Sequence, residues 1–237
     1  MQHMYSLRVL FILILISSIP VIAVYVWFRL AKYQFSLYRF LFALLAGAAA
    51  FFPALVLQDT LTFSSFTEGR AALFFHVFVR IALTEELSRL LMLFIFLRVI
   101  GRVSPGENPD QPLSYNTVKR GTAIGLVAGL GFAILENAAY AASDTGALFL
   151  RVFTAAPLHG ACGSRIGAAA VMFRSHKLQA IFRIVTATAI HGVYNLMVGL
   201  RGFPAIAAVL IAVSALITAI TTIRGGWSSD ENSQYGS

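Results

Sequence analysis

Residues 72–97 read ALFFHVFVRIALTEELSRLLMLFIFL. A run of this length and apolarity is predicted to form a helix able to cross the hydrocarbon core of a bilayer, roughly 30 Å thick. Near its middle stand two adjacent acids, Glu85 and Glu86. An Asp, Lys or Arg at bilayer depth costs about 2.5 to 3.5 kcal/mol on insertion scales, so such groups are retained where they face a protein interior and perform chemistry. Arg89 follows Glu85 by four residues and Glu86 by three, spacings that share a helix face. Two neighbouring carboxylates in a dry site do not both ionise cheaply. Arg89 therefore keeps one anionic and leaves the other to carry a proton, the arrangement a general acid/base requires.

The rest of the chain has the same character. Its 237 residues are 58% hydrophobic and 12% charged, with a mean hydropathy of +0.79, a balance beyond that of soluble domains. Apolar runs at 9–28, 37–57, 72–97, 121–140, 148–172, 178–200 and 204–223 predict an all-α polytopic bundle of about seven spans. One transmembrane domain is expected over residues 1–226, its motif-bearing core at about 72–200, with a polar cytoplasmic tail at 227–237. The first run is too long for a signal-peptide core and lacks a cleavage pattern, so it reads as an uncleaved span. The loop GRVSPGENPDQPLSYN at 101–116 is polar and rich in turn residues and reads as a cytoplasmic connection.

The net charge of +8 does not point to nucleic acid, because Lys and Arg are scattered at span ends. Eleven of them, including Arg29, Lys119, Arg174 and Arg224, fall on one side of the predicted topology, against four on the other (Arg8, Arg70, Arg151, Arg201). The positive-inside rule then places the N-terminus outside and the C-terminus in the cytoplasm of a plasma or inner membrane. Cys162 is the single cysteine, which excludes an intrachain disulfide and a thiolate zinc cluster.

Three further runs carry polar groups. GLVAGLGFAILENAAY (125–140) sets Gly125 and Gly129 at small-xxx-small spacing, which lets a neighbouring helix approach closely, and then places Glu136 and Asn137 in apolar surroundings. APLHGACGSRIG (156–167) contributes His159 among glycines. AIHGVYN (189–195) sets His191 and Asn195 on one helical face with Tyr194 beside them. His3, His76 and His176 lie near span ends without a partner at helical spacing. In the predicted topology Glu85, Glu86, Glu136, His159 and His191 all fall in the middle-to-outer part of the bilayer, so they are able to converge.

In their order along the chain, the double glutamate (Glu85, Glu86), GFxxxEN (Gly131, Phe132, Glu136, Asn137), PLHG (His159) and HxxYN (His191, Tyr194, Asn195) resemble the PrsW family of membrane proteases. These are relatives of the CAAX-prenyl-protease and bacteriocin-immunity membrane enzymes. The resemblance covers about residues 85–195, and it departs from the family's EExxK pattern by having Arg89 in place of Lys. It implies hydrolysis of a peptide bond in a membrane-anchored protein, with an anti-sigma-factor-like substrate cut on the outer side. On that reading Glu86 or Glu85 activates a water, His191 and Asn195 stabilise the oxyanion, and His159 and Glu136 complete the water site, with Arg89, Asn137 and Tyr194 in support. A zinc version has His159, His191 and a glutamate such as Glu136 as ligands and a second glutamate as base; a glutamate-only version needs no metal. Three other readings stand beside these. One is a membrane cysteine peptidase or transpeptidase built on Cys162 with Arg165. The others are a proton-coupled transporter and a catalytically inactive membrane binding protein.

Overall fold

The computed structural model describes residues 7–61, 69–101, 115–141, 145–200 and 202–225. His3, Arg201, nearly all of the predicted 101–116 loop and the 227–237 tail lie outside the described residues. Every element among them is helical: α1 (Leu7–Ser17), α2 (Ile19–Leu30), α3 (Leu37–Thr60), α4 (Gly69–Phe74), a π-helical segment (Phe75–Leu83), α5 (Thr84–Gly101), α6 (Tyr115–Ala141), α7 (Thr145–Met172), α8 (Lys177–Gly199) and α9 (Phe203–Gly225).

The predicted runs all fall on helices, but the count of seven spans is not reproduced. Four helices, α3, α6, α8 and α9, are long and apolar enough to cross a membrane, and a fifth crossing results if α1 and α2 act as one bent span. The first run is broken by a 40° bend. Pro20 lies in the first turn of α2, where its missing N–H and its ring forbid a bond to the carbonyl four residues back. Ser18 fills the break, donating its hydroxyl to the Ile14 carbonyl at 2.8 Å. The runs at 72–97 and 148–172 fall short for a different reason. The first is divided among α4, the π-helical segment and α5, with Glu85, Glu86, Arg89 and Arg98 on α5, and the second holds Arg151, His159 and Arg165.

α6 occupies the centre. Its spanning window is 83% buried, against 22 to 33% in the other three candidates. The sequence permits this through its glycines. A Cβ at Gly121, Gly125 or Gly129 would collide with the backbone of Gly167, Gly163 or His159 on α7, and one at Gly131 with the backbone of Leu44 on α3. α7 answers in kind, since Gly163 and Gly167 meet the α6 backbone. The stripe lets α6 and α7 pack backbone to backbone, the contact that association in lipid rewards. Elsewhere the outward surface is apolar, with Phe52, Phe153, Phe182 and Leu210 among the exposed side chains.

Candidate active site

The acids enter through the π-helical segment. Where its i→i+5 register gives way to α5, the Thr84 hydroxyl turns back on the chain, 2.6 Å from the Arg80 carbonyl and 2.9 Å from the Ile81 carbonyl. Glu85 and Glu86 follow at once in the first turn of α5, and both are buried.

Arg89 reaches back along α5 to Glu86. Its Nη2 lies 2.5 Å from Glu86 Oε1 and 3.9 Å from Glu85 Oε2, and its Nη1 donates to the His159 carbonyl on α7 at 3.3 Å. The guanidinium lies over the Phe132 ring of α6, 4.7 Å from its centroid. No part of this residue is solvent-exposed, so the charge is matched entirely by protein groups.

The two histidines are each gripped by a carboxylate. His191 of α8 places Nδ1 2.8 Å from Glu86 Oε1, and His159 places Nε2 2.7 Å from Glu136 Oε2. A carboxylate paired with arginine only accepts, so each imidazole carries a proton on the gripped nitrogen, and in its neutral form keeps a lone pair on the other. The rings stand perpendicular with centroids 5.0 Å apart. The atoms left over are Glu85 Oε2, Glu86 Oε2, His159 Nδ1 and His191 Nε2, all buried and without a hydrogen-bond partner among the described residues. Glu85 is itself oriented from α3, where Gln58 Nε2 donates to its Oε1 at 3.0 Å.

Glu85, His159 and His191 offer ligand atoms that lie within 4.8 Å of one another. A carboxylate and two imidazoles form a zinc-type donor set, and the unpartnered atom on each residue is what a bound cation would satisfy. The residues present fit a metal. Glu136, the glutamate expected in this set, stands outside it: it sits behind His159 and is paired with Arg151 Nη2 at 2.5 Å.

Four of the helices meet here: α5 brings Glu85, Glu86 and Arg89, α6 brings Glu136, α7 brings His159 and α8 brings His191. Asn137 is fully buried and accepts from Arg151 Nε at 3.1 Å. Tyr194 and Asn195 are not drawn into the centre. The Tyr194 hydroxyl donates to Thr154 Oγ1 at 2.8 Å, and Asn195 is half-buried with no hydrogen bond to a described residue. Cys162 is buried, its thiol 3.5 Å from the Ala187 carbonyl, while Arg165 three residues on turns to Ala161, Ala215 and Thr218. No Cys–Arg pair forms.

Sequence reasoning missed Gln58 and Arg151. Gln58 belongs to no motif, and Arg151 read as a topology signal at a span end. The signal available for Arg151 was the Glu136–Asn137 pair, a buried acid in need of a cation. Compared with known proteins, the chain from residue 36 to residue 221 matches the family model described as PrsW family intramembrane metalloprotease. No curated protein and no solved structure matches the chain.

Proposed function

Because the chain belongs to the PrsW family of intramembrane metalloproteases, we propose that it hydrolyses a peptide bond in the spanning or juxtamembrane segment of a membrane-anchored protein, with Glu85, His159 and His191 as the reactive centre. The observation that carries this reading is that these three buried residues offer ligand atoms within 4.8 Å of one another, while each keeps a buried side-chain atom with no hydrogen bond to a described residue. They would hold a zinc-type ion, which supplies acidification of a bound water and polarisation of the scissile carbonyl.

The chain's own groups divide the remaining work. Glu86 and Glu136 hold the two imidazoles in one tautomer and one orientation, the task of carboxylates behind metal-ligating histidines. Arg89 keeps Glu86 anionic and ties α5 to the His159 carbonyl. Glu86 Oε2, the remaining unpartnered carboxylate oxygen of the pair, takes the proton of the attacking water. Asn195, one turn beyond His191 on α8, is the donor assigned to the developing oxyanion and meets it only with substrate bound. Packing around the centre excludes bulk water, which strengthens each of these interactions.

The test is cleavage of a single-span reporter by protein purified in detergent, with metal analysis of each variant. Glu85→Ala and His191→Ala are expected to lose both bound metal and cleavage. Glu86→Gln is expected to hold metal more weakly and, when loaded with excess metal, still to lose at least a hundredfold in rate, the lower end of the range for removing a general base, about 10² to 10⁴. Cleavage that persists in both Glu86→Gln and His191→Ala would refute the assignment.

A further inference from the structure

Away from the acids and histidines, a groove of about 780 Å³ runs between α7 and α8, and Arg165 and Arg183 both line it. The same two arginines line the smaller hollow beside α9, together with the hydroxyl residues Ser164, Thr218 and Thr222. Arg165 is anchored only by neutral groups: Nη1 donates to the Ala161 carbonyl at 3.0 Å and the Ala215 carbonyl at 3.3 Å, and Nη2 to Thr218 Oγ1 at 2.8 Å. The Arg183 guanidinium has no hydrogen bond or ion pair to a described residue, and Arg165, which lines the same two spaces, sets a like charge beside it. No acidic residue lines either space. Two uncompensated cations beneath a helix end are costly unless an anion joins them.

The surroundings identify the anion. Arg183 lies six residues into α8, which begins at Lys177 just after Arg174, so it sits roughly 9 Å from the helix end. From there the long side chain is able to carry its guanidinium up to the headgroup region at that end of the helix. Leu178 and Phe182, on the groove's lip, are 82% and 68% exposed. We propose that this groove binds the phosphate of an anionic phospholipid, clamped between Arg165 and Arg183 with its acyl chains running toward the bilayer centre past Thr186 and Ile190. Basic pockets between spanning helices are suited to such headgroups, since each arginine near the surface contributes about 1 kcal/mol of attraction.

Native mass spectrometry of the full chain in detergent, titrated with phosphatidylglycerol, phosphatidylcholine and inorganic phosphate, tests the assignment. Wild type is expected to bind phosphatidylglycerol at least about fivefold more tightly than phosphatidylcholine, and Arg183→Gln to lose about that factor for the anionic lipid alone. Arg183→Lys is expected to keep most of the preference, which separates loss of charge from loss of fold. Arg174→Gln, an exposed charge at the same helix end, is expected to leave it unchanged. Equal affinity for the two lipids, an equal loss in Arg174→Gln, or displacement of the lipid by inorganic phosphate would each overturn the proposal.

Discussion

Glu85, His159 and His191 are each held from behind by a side chain on another helix: Gln58, Glu136 and Glu86 respectively. These outer partners orient the centre, and their removal commonly costs 10- to 100-fold in metal affinity. Glu136→Gln is therefore expected to weaken retained metal by about that factor in a chelator competition while leaving the helices folded, because Gln keeps the shape and loses the charge that faces Arg151. Retention equal to wild type would remove Glu136 from that role. Cys162→Ser makes the opposite expectation. The one hydrogen bond of its thiol is to the Ala187 carbonyl, so cleavage is expected unchanged and stability to fall by no more than about 1 kcal/mol. Much of this centre was legible residue by residue, since a buried acid or histidine announces its cost in the sequence. Gln58 and Arg151 were not, because their partners lie far along the chain and neither residue type is unusual at a helix end.

The glycine stripe between α6 and α7 carries most of the architecture at the level of elements. Gly129 faces the backbone of His159, whose carbonyl also accepts from Arg89. Gly129→Val is expected to force that backbone away, to destabilise the protein by about 1 to 3 kcal/mol in a detergent unfolding assay, and to lower cleavage beyond what the loss of folded protein explains. Gly160→Ala serves as its control. A Cβ there meets only the side chains of Leu126 and Leu130, no closer than 3.0 Å, so near-wild-type stability is expected. The small-xxx-small spacing disclosed this interface in advance. The π-helical register before Glu85 and the bend at Ser18 were less visible. Hydropathy averages over several residues, whereas these features turn on local hydrogen bonds, Thr84 to Arg80 and Ser18 to Ile14.

For the whole molecule, the all-helical character followed from composition, while the number of crossings did not. The helices that bear the site divide between the two groups: α5 and α7, which supply Glu85, Glu86, Arg89 and His159, fall short, whereas α6 and α8 qualify although they carry Glu136 and His191. Orientation is open to direct measurement. The excess of Lys and Arg on one side leads us to expect the C-terminus in the cytoplasm, so a C-terminal reporter that is active only in the cytoplasm is expected to be active and an exported one silent. The reverse pattern would invert the topology and move the reactive centre to the inner half of the bilayer.

The backbone contact between α6 and α7 has a mechanical consequence. Glu136 and His159 ride on two helices without slack between them, so that pair behaves as a single stator and cannot part to admit a peptide. The seam we expect to yield is on the opposite flank, where the Phe78 ring of the π-helical segment rests on Gly192 beside His191. A disulfide staple joining 78 to 192 is expected to arrest proteolysis, and its reduction to restore it. The half of the centre that holds Glu136 and His159 is then the anvil, and the half that carries His191 is the jaw that opens.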